Sequence, residues 1–161
     1  MKKYLYLLSV ILFISSCAED VKFNNPAFQT LKDNVFWRAQ SYEAYTTNTG
    51  NLVIEGYLGF EKVILQTASL SEQTFVLGQD NISKASYFNT LPEVPEEFTT
   101  GSNIGNGQII ITDYNIENNT ISGTFKFTAA NEENLEKPGI TFSEGVFYKV
   151  PVSVNSNFVT N

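Results

Sequence analysis

The sequence predicts an all-β domain: an antiparallel meander of about eight strands, closed as a β-sandwich or a flattened, lipocalin-like barrel. Three observations carry this expectation. From residue 35 onward apolar side chains recur with a period of two, which is the period of a half-buried strand. Asn and Gly punctuate the runs at 48–50, 59, 101–107 and 117–119, where tight turns need the left-handed conformation they tolerate. The one helix candidate, 131–137 (NEENLEK), is long enough for a single turn or an acidic loop and is stopped by Pro138-Gly139.

The chain opens on a different pattern. Lys2 and Lys3 form a basic start, and 4–14 is an apolar stretch broken only by Ser9. Eleven helical residues span about 16 Å, against the ~30 Å of a hydrocarbon core. The stretch therefore reads as a secretory signal and not as a membrane anchor. Ile14-Ser15-Ser16-Cys17 resembles the lipobox of bacterial lipoproteins, in which cleavage before the cysteine precedes acylation of its thiol. That resemblance divides the chain into a signal peptide (1–16), a lipidated Cys17 with its tether (17–33) and a single β domain (34–161). Two or more acyl chains hold a protein stably, since each buried CH₂ contributes about 0.8 kcal/mol. Cleavage leaves 145 residues with 8 basic and 17 acidic side chains, a net −9. Such a body gains nothing from anionic headgroups, so the lipid on Cys17 is its expected link to the membrane. Ala18-Glu19-Asp20 lacks the Asp directly after cysteine that marks inner-membrane retention. An outer-membrane lipoprotein is expected, facing either the periplasm or the cell exterior.

In the tether, Asn24-Asn25-Pro26 is a turn signal, and Phe23 and Phe28 are unusual for a free linker, so partial packing on the body is expected. The strand runs follow. Trp37 and Ala39 share a face in 35–45, Leu52 and Ile54 in 51–58, and Val63 and Leu65 in 61–68. Residues 73–78 and 85–90 are shorter runs. Residues 108–114 are Ile-rich, which predicts burial on both faces at the centre. The clearest run is 120–129, with Ile121, Gly123, Phe125, Phe127 and Ala129 on one face and Ser122, Thr124, Lys126 and Thr128 on the other. The last is 140–152, where Gly145 breaks the alternation and marks a bulge.

The order of these runs resembles a family of small Bacteroidetes lipoproteins whose shared region is known only as a domain of unknown function. The segments ISGTFKF and EGVFYKVPV carry the likeness most specifically, and it extends over about residues 25–152. The resemblance implies an all-β secreted domain behind a lipobox. It implies no catalytic residue.

Composition excludes several chemistries. The chain has no His, so a Ser–His–Asp triad, a Cys–His pair and His-ligated metals are ruled out. Its single Cys rules out an intramolecular disulfide. A net charge of −7 argues against a nucleic-acid partner. No cofactor is expected. No metal is expected either, because Gln79-Asp80-Asn81 and Asp113-Tyr114-Asn115 are fragments of a calcium-loop pattern and fit turns better. Glu93, Glu96 and Glu97 fall in a stretch punctuated by Pro92 and Pro95 and read as an exposed acidic loop, as do Glu132, Glu133 and Glu136. Residues 101–107 read as a flexible inter-strand loop; they lack the Gly-Lys-Ser/Thr ending of a phosphate loop. Tyr42, Tyr57, Tyr87 and Tyr114 are the candidate ligand-binding side chains, as amphipathic rings on strands. Trp37 reads as core. The expected function is a non-catalytic binding or envelope-interaction module for a glycan, an envelope protein or a small apolar ligand. A carboxylate-based glycan hydrolase is the enzyme alternative.

Overall fold

The computed structural model describes residues 25–131 and 138–153. The expected signal segment with Lys2, Lys3, Ile14, Ser15, Ser16 and Cys17, together with Phe23 and the acidic trio at 132–136, lies outside them. Among the described residues there are eleven strands where about eight were expected: β1 (Ala27–Lys32), β2 (Val35–Arg38), β3 (Ser41–Thr46), β4 (Leu52–Leu58), β5 (Glu61–Thr67), β6 (Thr74–Leu77), β7 (Lys84–Asn89), β8 (Glu96–Thr99), β9 (Asn106–Asn115), β10 (Thr120–Ala130) and β11 (Gly139–Ser153).

They form one sheet whose hydrogen bonds close into a ring. β10 and β11 pair along their length, β11 passes to β3, and β4, β5, β7 and β8 follow. The last link is Thr99 opposite Ala130. Two pairs branch from this ring: β1–β2 on β11, and β9–β6 on β10.

The extra strands have separate causes. Residues 35–45 are split into β2 and β3 because the run changes partners, pairing with β1 through Arg38 and with β4 from Ser41. β1 lies inside the stretch expected as tether and pairs with β11 and β2 as part of the sheet. Phe28 is fully buried, with its ring against Trp37 (6.0 Å) and Phe125 (5.2 Å). β8 replaces the end of the expected acidic loop, because Phe98 is fully buried and anchors it beside β7.

Elsewhere the inward faces are those the alternation predicts. Trp37, Ala39, Leu52, Ile54, Val63 and Leu65 are all buried. So are the five inward residues of β10. Ile109 and Ile111 are buried, but Ile110 between them is only half-buried, so β9 has one core face and not two. The bulge expected at Gly145 is present. Phe125 faces Gly145 while Phe127 faces Phe142, so Lys126 opposes two residues, and the β1 register slips at the same place. Glu144 takes the left-handed backbone there (φ 53°), while Gly145 lets the Phe125 ring lie where a Cβ would stand 2.6 Å from it.

The interior of the ring is filled with aromatic rings. Phe127 stacks on Phe142 at 4.6 Å, and Phe142 meets Tyr87 at 5.6 Å. These side chains occupy the space that a lipocalin-like carrier gives to its ligand.

Candidate functional site

The candidate site lies on the outer face of the sheet, where β7 and β8 meet the end of β10. Successive side chains of a strand point to opposite faces. The inward residues of β7 and β8, Ala85, Tyr87 and Phe98, are buried. Phe88, Glu97 and Thr99 therefore point outward. Together with Ile104 and Ala130 they form a groove of about 560 Å³, within the usual size of a small-ligand site. Its polar rim includes Asn89, Thr90, Glu96 and Asn131. Lining from four separate chain segments converges here because β8 carries the ring from β7 to β10.

Local hydrogen bonds fix the rim. Thr90 donates twice to the Phe60 carbonyl, from its N–H (2.9 Å) and its hydroxyl (3.0 Å), which ties the β7–β8 turn to the β4–β5 turn. Asn89 Oδ1 accepts the Leu91 N–H (3.1 Å). Phe60, Leu91 and Val94 are exposed along this rim. Residues 101–107 are pinned and not a loose loop. Gly101 is bridged to Ile104, and Asn81 Oδ1 accepts the Ser102 N–H (3.0 Å).

The groove continues into a strip across the outer face. Register places Tyr57 opposite Lys62, Lys62 opposite Phe88, and Phe88 opposite Glu97. The Lys62 ammonium stands 5.8 Å from the Tyr57 ring and 5.5 Å from the Phe88 ring. It also lies 3.8 Å from Glu55. The Glu55 carboxylate is nearly buried on this face and is reached by the hydroxyls of Tyr45 (3.3 Å) and Tyr57. Burial and the neighbouring carboxylates push the Tyr57 and Tyr45 hydroxyls above the usual phenol range, so both stay protonated donors.

A second polar cluster sits at the mouth of the ring. Glu61 occupies an inward position two residues before Val63, and its carboxylate takes three donors. The Tyr87 hydroxyl lies 2.6 Å away, Trp37 Nε1 lies 2.6 Å away, and the Lys32 ammonium pairs with the same group. Burial raises the Glu61 carboxyl, but the three donors outweigh it and hold the group below the usual carboxylate range. This cluster joins β1 and β2 to β5 and β7, and so fastens the branch to the ring. Sequence reading missed it. The available signal was an acid at the inward parity of β5.

The four candidate tyrosines are not brought together. Tyr57 lies on the outer strip beside the groove. Tyr87 is buried, so its ring is core and its hydroxyl serves Glu61. Tyr42 packs partly on the core and donates to the Pro26 carbonyl (3.0 Å). Tyr114 packs near the far end of β9, where its N–H donates to Glu72 (3.2 Å). Asp80 accepts the N–H groups of Ile82 (2.8 Å) and Ser83 (2.9 Å), the turn role expected of it. Among the described residues no group of three or more Cys, Asp and Glu side chains is arranged to hold a metal.

The fold and groove define an all-β domain with a closed hydrogen-bond ring and an outward-facing cleft. The chain belongs to the family described as a domain of unknown function, DUF6252, whose model matches residues 24–151. No curated protein and no solved structure matches it.

Proposed function

We propose that the chain is a lipid-anchored, non-catalytic binding module of the bacterial outer envelope, with the groove behind Phe88 as its binding site. The observation that carries this reading is the groove itself: a cleft of about 560 Å³ with an apolar floor and a polar rim, on the outer face of a closed sheet. Two features favour binding over hydrolysis. A glycan hydrolase needs two carboxyls facing each other across a cleft, one of them held protonated. Glu96 and Glu97 both line the groove, but they are neighbours on one strand, β8, and so do not face each other across it. Glu61 is held ionised and is committed to three donors. The lipobox-like Ile14-Ser15-Ser16-Cys17 supports the anchor.

The binding test is an amide-resolved titration of the ¹⁵N-labelled secreted chain carrying Cys17→Ser, against mixed sets of soluble glycans, peptides and fragments. Shifts centred on residues 88–90, 96–99 and 104 are expected, with no turnover of the ligand. Shifts elsewhere, or none, would remove the reading. For the anchor, Cys17→Ala is expected to abolish palmitate labelling in cells and to release the protein from the membrane fraction. Labelling that persists in the variant would refute lipidation at Cys17.

A further inference from the structure

We propose that the outer face of β4, β5, β7 and β8 binds a linear, uncharged oligosaccharide, laid across the strands from Tyr57 to the groove beyond Phe88. This deepens the binding-module reading and rests on it.

The register supplies the geometry. Tyr57, Lys62, Phe88 and Glu97 stand side by side on four adjacent strands. Neighbouring strands are about 4.8 Å apart, which puts Tyr57 and Phe88 about 10 Å apart. That is the reach of two linked pyranose rings. Both rings are half-exposed and on the same face. Pyranose rings offer a face of C–H groups to an aromatic ring and a rim of hydroxyls to polar side chains. The strip offers two aromatic stations at that spacing.

The charge between the stations is already answered. Lys62 lies between the two rings, and Glu55 faces its ammonium at 3.8 Å. Glu55 also takes the Tyr45 and Tyr57 hydroxyls, so the same carboxylate fixes the Tyr57 ring. At the groove end the rim holds both donors and acceptors. Glu97 is exposed and has no hydrogen-bond or ion-pair partner among the described residues, which leaves its oxygens for hydroxyl donors. The Asn89 carbonyl accepts the Leu91 N–H, which fixes that amide and leaves its two N–H donors for the ligand.

Charge selects against other polymers. Among the described residues the groove lining has two carboxylates and no Lys or Arg, in a chain of net charge −7. A polyuronate or phosphate-bearing chain would be repelled. An extended peptide recognises a sheet through an unpaired edge. β4, β5 and β7 are paired on both sides, so the strip from Tyr57 to Phe88 offers a peptide no backbone partners; within this face only β8, which meets β10 at Thr99 alone, keeps an open edge.

The test is a titration of the ¹⁵N-labelled Cys17→Ser chain with neutral hexasaccharides (β-1,4-glucan, β-1,3-glucan, mannan and xylan). Alginate and polygalacturonate oligomers of the same length, and a tetralysine peptide, are run beside them. At least one neutral hexasaccharide is expected to shift amides on β4, β5, β7 and β8. Loss of one stacking ring is worth about tenfold in affinity. Phe88→Ala is therefore expected to weaken binding about tenfold, Tyr57→Ala by a similar factor, and the double variant beyond detection. Phe88→Tyr keeps a ring and is expected to stay within about threefold, which separates lost stacking from lost folding. The proposal is overturned if the anionic oligomers bind as well as the neutral ones, or if Phe88→Ala changes nothing. It is also overturned if only tetralysine shifts the groove amides, and in that case the binding-module reading stands. No shift in the groove with any probe would sink both.

Discussion

Glu61→Ala is expected to lower the stability of the domain by about 3 kcal/mol, the cost of removing one partner from a largely buried charged cluster. For a domain of this length that is a fall of about 10 °C in Tm. The size of the effect comes from what is left behind. The Glu61 side chain is only 23% exposed, and without it the Tyr87 hydroxyl, the Trp37 N–H and the Lys32 ammonium lose their common acceptor. Tyr87 and Trp37 are themselves buried and cannot turn to water. Glu61→Gln keeps an acceptor of the same shape without the charge and should cost about half as much. Urea unfolding of the three proteins at one pH measures the order. A Glu61→Ala loss below about 0.5 kcal/mol would show that the branch β1–β2 is held without the cluster.

The same group gives a pH signature. Its carboxyl titrates lower in the folded protein than in the unfolded chain. The stabilisation it provides is therefore complete above the unfolded value, about 4.3. It is lost as pH falls through the lower folded value. The stability gap between the parent chain and Glu61→Gln should be constant from about pH 8 to 5 and should narrow toward pH 3. A gap that widens on acidification would mean that Glu61 titrates above its unfolded value.

The strands that could be read from the sequence are those with one plainly apolar face. β10 is the best case, because its five inward residues and its four outward ones differ in polarity at each step. β1 was hidden for the opposite reason. Its inward residues are Phe28, Thr30 and Lys32, and two of these three are polar. Each finds a partner too distant in sequence to foresee: Thr30 donates to the Ser143 carbonyl (2.9 Å), and Lys32 pairs with Glu61. β8 was hidden by Pro92, Pro95 and its two glutamates, which outweighed the single buried Phe98. The groove was not legible at all. Phe88, Glu97, Ile104 and Ala130 come from different segments, and only the β8–β10 link brings them together. Tyr57 was singled out as an amphipathic ring on a strand, and that property places it on the outer strip. Tyr87 has the same chemistry, but its parity on β7 turns it inward. A one-residue difference in phase decides which face a strand residue serves.

Gly123→Ala is the second large effect expected, about 3 kcal/mol or about 10 °C in Tm. Gly123 lies on the inward face of β10, directly opposite Phe147 on β11. A Cβ built there would stand 2.1 Å from the Ile110 carbonyl oxygen and 2.3 Å from Phe147 Cζ. Neither neighbour can yield cheaply. The carbonyl belongs to the β9 backbone, and the Phe147 ring is fully buried. Glycine in a strand interior marks a bulge or a close approach, and β10 shows both. The β9 register slips between Ser122 and Gly123, and the β11 register slips across the same residues, where Ser122 Oγ accepts the Lys149 N–H (3.1 Å). The missing side chain is therefore the space into which Phe147 packs while both neighbouring strands bend. Gly139→Ala is the matched control. Among the described residues its Cβ meets only the Ala129 carbonyl oxygen, at 3.2 Å, and the lower chain entropy of alanine offsets that contact, so a change within about 0.5 kcal/mol is expected. Thermal unfolding of the two variants beside the parent distinguishes the cases. Equal Tm values would mean that β9 and β11 do not close on β10 at Gly123, and the ring of hydrogen bonds would need a different register at its centre.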